Sequence, residues 1–534
     1  MYKADKLFIN GEIYTLKEEG DKIEAVAVNN GKIVFTGSNK EAENISAEEV
    51  IDLKGNTVLP GFTDTHMHLG ITCYRKQSID LLNAKSINDV IEKIKNKAEQ
   101  TIEGEWITAI NLHKSKLSEN RFPLRWELDK ASVKHPILIS SYCGHANMVN
   151  SLALELAEIK KGFVPSVEGI IEFDKDGEPN GIVRENAYDD YFAPLNSSVP
   201  LADYKKRKLE YENELKRAAS LGITTLHTYS SLTGDPLEYL YLYQDLEKEN
   251  RLPVRIVMSS SAELPKSIGA KTGLGNEKVK YGAKKIFCDG SLSSHSAALL
   301  EPYSDEPDKM GVLMNSQDEL NKQFKEAYDY GMEIAVHAIG DKGVEMVLNA
   351  IEEVYYENPR NDARFRIIHA LVLNKNQINR MKKLPVILDM QPIFMKNWVD
   401  LAEKRIGKER IQLFMPFKTL IDEDIIVTGG SDLPVEDINA FIGIQCIVTR
   451  QNLEGYPEGG FVPKERVSVY EAIEMFTKNA AYCSYEENIK GTIEIGKLAD
   501  FIIIDRNIFD IDLNEISRIK VIKTYLGGEE VFSI

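Results

Sequence analysis

The chain has 534 residues, 43 % of them hydrophobic and 28 % charged, and a formal net charge of −18. That balance belongs to a globular protein and excludes the disordered and collagen-like classes, while the acidity opposes binding to phosphate backbones or anionic lipid, so neither nucleic acid nor membrane is an expected partner. The length calls for one large domain with a smaller accessory. No apolar run is long enough to span a bilayer and the first residues lack a secretory signal, so a cytoplasmic location is expected.

Taken in chain order, Lys6–Leu16, Ala25–Val28 and Lys32–Thr36 read as a small antiparallel sheet, the last two joined through Asn29-Asn30-Gly31. From Val58 onward, β-like apolar runs alternate with amphipathic helical stretches, the pattern of parallel βα units. The candidate strands are Val58–His66, Thr224–Tyr229, Val254–Ser259, Lys285–Asp289, Glu333–His337, Phe365–His369, Val386–Gln391 and Ile425–Gly429. Eight strands fit an α/β fold of the TIM type, a (β/α)8 barrel over residues 58–489. Among the intervening helices, Ala202–Ser220 and Gln317–Tyr330 run up to Gly222 and Gly331. Residues 70–201 are too many for one βα unit and are expected to be an insertion after the first strand. Strand composition returns in Gly491–Ile495, Ala499–Asp505 and Val521–Phe532. Residues 1–57 and 490–534 are therefore expected to pair into one composite, β-sandwich-like domain.

The five cysteines, Cys73, Cys143, Cys288, Cys446 and Cys483, are scattered and form no CxxC pair. A metal would therefore be held by nitrogen and oxygen. His66 and His68 stand i, i+2 at the end of an apolar strand, which puts both imidazoles on one face, able to bind a single cation. His337 and His369 end two later candidate strands, and Asp432 follows Val427–Ser431. Each alone has an ordinary reading as a strand-end hydrogen-bonder, a turn residue or a helix N-cap. Their joint placement on strands one, five, six and eight, at the face where barrels put their active sites, favours a common centre. Lys285, beside Lys284, would by itself read as a solvated lysine.

The runs Leu59–His68, Gly144-His145 with Asn150-Ser151, Gly222–Thr225, Lys285–Phe287 with Asp289–Ser291, His337–Asp341, Gly430–Asp432 and Gly496–Asp500 together resemble the amidohydrolase superfamily. Within it they resemble the group of metal-dependent hydrolases that includes N-substituted formamide deformylases. The resemblance implies two divalent metal ions, zinc by first choice. One would be held by His66, His68 and Asp432 and the other by His337 and His369, with CO2 fixed on Lys285 as a bridging carbamate. It also implies hydrolysis of an amide-type C–N bond, N-formyl or N-acyl, in a small-molecule substrate by metal-activated hydroxide. Asp432 would be general base and then general acid. His145, Asp289, Asp341 and Gln391 are the implied substrate contacts, and the resemblance admits a homodimer. The sequence departs from the pattern at Ser294-His295-Ser296, where relatives often carry an arginine, and at Thr228 after His227, where they often carry an aspartate. A mononuclear deaminase would use the same histidine pair and aspartate, but its usual glutamate three residues after the strand-five histidine is Gly340 here. An esterase or lactonase, or a non-catalytic metal-binding regulator, are the further alternatives.

Overall fold

The apolar run through Pro60-Gly61-Phe62 does not form one strand. It breaks at Gly61: Thr57–Pro60 belongs to one sheet, and the next strand, β1 (Phe62–Met67), opens another. A Cβ at position 61 would lie 2.3 Å from the Thr224 side chain, so only glycine lets the chain cross between the sheets here. The structure, a computed structural model, describes residues 3–141, 146–164, 169–185, 187, 191–192, 204–229, 236–261, 269–399 and 401–534.

After β1 come β2 (Ile223–Tyr229), β3 (Arg255–Ser260), β4 (Val279–Phe287), β5 (Ile334–Ala338), β6 (Phe365–His369), β7 (Val386–Met390) and β8 (Ile426–Gly429). All pair in parallel and in sequential order. Every residue of β1, β2, β3, β6 and β7 is buried, as expected of parallel strands covered on both faces. The two edges meet beyond the ladder, where the Asp432 amide donates to His66 O and the His68 amide to Leu433 O, both at 2.7 Å. This is the (β/α)8 architecture. β4 begins at Val279, earlier than composition suggested, because its outward lysines conceal the strand. Lys280 pairs with Glu486 at 2.7 Å and Lys284 Nζ donates to Ser261 O at 2.6 Å. Helix α1 (Gln317–Tyr330) opens with a Ser316–Glu319 capping box and stops at Gly331, whose φ of 84° is a left-handed conformation that favours glycine.

Two further sheets complete the same unit. One has the order Lys32–Gly37, Ala25–Asn29, Lys3–Ile9, Ser46–Asp52, and its last pair is parallel, so the sheet is mixed where an antiparallel one was expected. The other runs Glu529–Ser533, Val521–Leu526, Phe501–Ile504, Thr57–Pro60, Glu12–Tyr14, Lys22–Ile23, interleaving strands from both ends of the chain. Their common core includes Phe8, Val28, Phe501 and Tyr525, with the Phe8 ring 5.0 Å from each of the other two aromatic rings. Gly491–Ile495 is not a strand. Its backbone is instead held by single bonds, Ile493 to Thr15 O and Gly496 to Ile33 O, with glycines of positive φ at both 491 and 496.

A second compact unit comprises Gly70–Tyr211 and Leu232–Glu238. It carries a six-stranded sheet, Gly169–Phe173, Pro179–Glu185, Ala146–Val149, Ile137–Ser141, Ile107–Leu112, Ile79–Asp80, and an amphipathic helix, Ile87–Ala98. Within it Asn150 accepts the amides of Ile137 and Ala153 and donates to His135 O at 2.9 Å. The Asn150-Ser151 run is thus a helix cap that also clamps a strand.

Candidate metal centre

Alternation along the inner face of β4 places Ala283, Lys285 and Phe287 on one side, and the same rule places Ala335 and His337 together on β5. The two alanines leave room for larger neighbours, and Tyr229 and Ile368 pack against them. Above this layer the C-terminal strand ends bring six of the expected residues together. His66 Nε2 and His68 Nε2 lie 3.3 Å and 3.2 Å from Asp432 Oδ1, and donor atoms of these three residues all fall within 4.8 Å of one another. The His369 ring is 5.4 Å from His66 and 4.6 Å from His337. Lys285 Nζ sits between the Tyr229 and Phe287 rings, 4.9 Å from each centroid.

Hydrogen bonds fix which ring nitrogen keeps its lone pair in two of the imidazoles. Gln391 Nε2 donates to Asp389 O at 3.1 Å, which turns Gln391 Oε1 toward His369 Nδ1 at 2.6 Å. That nitrogen must carry the proton, leaving Nε2 as electron-pair donor. His337 Nε2 donates to Gly290 O at 3.1 Å, leaving Nδ1. Among the described residues His66 has no hydrogen-bond partner on either nitrogen and Lys285 Nζ has none, although both residues are buried. Burial, and then the neighbouring Lys285, hold His66 well below its ordinary pKa and His337 at about 3; burial and the neighbouring His337 do the same for His369. Burial lowers Lys285 to about 7. Neutral imidazoles, an unpartnered amine and a carboxylate make a donor set that fits divalent cations and a lysine carbamate.

The backbone is under strain where it carries two of the candidate ligands. His369 has φ 77° and Asp432 φ 57°, conformations that cost a side-chain-bearing residue about 1–3 kcal/mol each. The bonds of Asp432 N–H to His66 O and of Ala370 N–H to Ala338 O hold them there. Gly430 makes the closure sterically feasible, since a Cβ on it would lie 2.7 Å from the His66 amide nitrogen.

Three of the four residues expected to touch substrate are hydrogen-bonded within the fold. His145 lies outside the described residues. The Asp289 carboxylate accepts the amides of Ile339, Gly340 and Ala298 at 2.8–2.9 Å and is fully buried, so it braces the loops beside His337 and does not face a ligand. Asp341 opens helix α2 (Asp341–Glu357) and accepts the Leu300 amide at 2.9 Å. Gln391 orients His369. Of the departures from the family pattern, Thr228 Oγ1 accepts the Leu69 amide, and His295 lies between Asp305 and Glu306 at 3.2 Å and 3.3 Å. The sequence reading missed Asp64, which accepts the amides of His66 and Ser431, and the buried pair Arg366–Asp389. Only the burial of both strand faces, which a sequence does not show, could have marked them.

The amidohydrolase family profile matches residues 49–532. The chain belongs to the amidohydrolase family. It is 33 % identical over 531 residues to the family protein YtcJ of Bacillus subtilis (strain 168), covering 98 % of each chain. With the N-substituted formamide deformylase of Arthrobacter pascens the identity is 28 % over 544 residues, covering 98 % of this chain and 97 % of the relative. Among solved structures, an uncharacterized metal-dependent hydrolase from Pyrococcus horikoshii OT3 superposes with a TM-score of 0.79 at 27 % identity, over 95 % of this chain and 99 % of that one. The amidohydrolase assignment thus rests on nearly the whole length, and within it His66, His68 and Asp432 form a candidate metal site.

Proposed function

We propose that this amidohydrolase cleaves an amide-type C–N bond, N-formyl or N-acyl, in a small-molecule substrate at a two-cation centre. The observation that carries the reading is the convergence of His66, His68, His337, His369, Lys285 and Asp432 at one barrel mouth, where His66 and Lys285 are buried with no hydrogen-bond partner among the described residues. His66, His68 and Asp432 would hold one cation and His337 and His369 the other, with the carbamate of Lys285 between them. Zinc suits such nitrogen and oxygen ligands. When bound, divalent cations acidify water to a pKa of roughly 7 and polarise an acyl oxygen.

Asp432 is the protein's own proton carrier. Its strained φ turns the carboxylate toward the two histidines, and its backbone is tied to His66, so it reaches the reacting water without leaving the ligand ring. It takes the proton from the attacking water and returns it to the departing nitrogen, which could not leave as an anion. Burial of His66 and His369 keeps bulk water from competing for their lone pairs. The similarity to the Arthrobacter pascens deformylase supports an N-formyl substituent as the first substrate to try. A one-cation reading, on the compact His66, His68, Asp432 group alone, is the second choice.

The test is metal content per chain with and without bicarbonate, followed alongside hydrolysis of an N-formyl and N-acyl panel. About two cations, with activity that leaves on chelation and returns on their restoration, is the expected result. In Asp432→Asn we expect at least one cation to remain and turnover to fall by 10²-fold or more, about the scale of general acid–base catalysis. A variant as fast as the parent would remove Asp432 as proton carrier.

A further inference from the structure

Beneath the metal ligands the barrel interior holds a charged pair where aliphatic side chains would be ordinary. Arg366 on β6 and Asp389 on β7 are both buried to within 1 % exposure, and Arg366 Nη2 is hydrogen-bonded to Asp389 Oδ2. A buried ion pair is weak evidence for stability, because desolvation offsets its attraction and an apolar substitute of similar volume often does as well. What an apolar substitute cannot supply is direction. Arg366 Nη2 also donates to Thr65 O at 2.7 Å, and Nη1 lies 3.3 Å from His227 Nδ1 on β2. Asp389 Oδ1 accepts the Thr65 hydroxyl at 2.5 Å and the Thr428 hydroxyl of β8 at 3.2 Å.

These partners are one step from the ligands. Thr65 immediately precedes His66, and Thr428 lies on the strand that leads to Asp432. Arg366 shares β6 with His369, and the Asp389 carbonyl accepts Gln391 Nε2, whose Oε1 fixes the His369 ring. We propose that Arg366 and Asp389 are positioning residues for the metal centre: a hydrogen-bonded clasp that sets the heights of β1, β6, β7 and β8 so that His66, His369 and Asp432 converge on the cations. The inference rests on the metal-centre reading and not on which bond the enzyme cleaves.

The test titrates Co2+ into the metal-free full-length protein, with chelator competition for affinity and visible absorption for coordination, while thermal unfolding of the metal-free form is followed separately. Asp389→Asn keeps the size and one acceptor but unbalances Arg366; Thr65→Val removes only the hydroxyl bond and buries no charge, so it provides a folded variant if the first is unstable. Both variants should bind Co2+ about 10–100-fold more weakly, the usual consequence of losing support behind a ligand. The Co2+ absorption of the folded fraction should change as well, and Thr65→Ser should restore the parent behaviour. Unchanged affinity and absorption in both variants, whatever happens to the melting temperature, would overturn the clasp and leave the pair as a fold element only. A parent that binds no Co2+ would overturn the metal-centre reading and the clasp together, whereas a parent that binds Co2+ yet hydrolyses no amide would leave the comparison of variants decisive.

Discussion

A primary amine buried to 1 % exposure with no hydrogen-bond partner among the described residues is an expensive group unless something accepts it. Lys285 is that group, and its lowered pKa keeps a substantial neutral fraction near neutral pH, the form that reacts with CO2. Lys285→Ala should therefore lose most bound metal and activity. A short carboxylic acid should restore part of both by supplying the missing oxygens, and unchanged metal content in the variant would make Lys285 a packing residue. The sequence exposed the histidines because four imidazoles at strand ends are a rare coincidence. It left Lys285 ambiguous, since a lysine in a lysine-rich strand looks solvated until the register is known. It hid Arg366 and Asp389 altogether, because charged residues inside a strand look like its exposed face unless the opposite face is also covered.

At the scale of elements, the strand pattern was legible wherever burial made a run uniformly apolar, as in β6, whose limits coincide with the expected ones. Reading failed where a single residue redirects the chain. Gly61 ends a strand of the composite sheet and begins β1 within one residue, its amide bonded to Asp500 O at 3.0 Å. Gly61→Ala must push its new methyl against Thr224, and we expect a loss of about 1–3 kcal/mol, the cost of overpacking a tight contact. Urea midpoints of the metal-free variant and parent measure it; equal midpoints would mean that β2 yields to make room. The Gly496–Asp500 run also has a structural meaning that spacing alone does not reveal. Asp500 makes a bidentate pair with Arg255 of β3 at 2.7 Å and 2.9 Å and accepts the Gly527 amide. Asp500→Asn should cost about 3 kcal/mol or more in the same measurement, since it leaves a buried guanidinium uncompensated.

At the scale of the whole molecule, buried ion pairs help join the barrel to the chain's last segment, and this makes its cohesion depend on pH. Besides Arg255–Asp500, Glu486 lies between Lys490 at 2.6 Å and Lys280 of β4 at 2.7 Å, while Lys490 Nζ donates to Thr225 Oγ1 of β2 at 2.9 Å. Burial pushes the Glu486 carboxyl up, but the two ammonium groups outweigh it and hold the group far below its ordinary value of 4.5. A carboxylate depressed in the folded state contributes stability that is fully present above its unfolded pKa and is lost as pH falls through that value toward the folded one. Glu486→Gln should therefore lower stability by about 3 kcal/mol near neutral pH, because two lysines lose their counter-charge. The gap to the parent should narrow progressively below about pH 4.5, where the parent's unfolded chain takes up a proton on Glu486 that its folded form does not. Denaturant midpoints at about pH 7 and about pH 3.5 decide it. A gap of constant size would mean that Glu486 acts through packing alone and that the acid sensitivity of the molecule resides in other carboxylates.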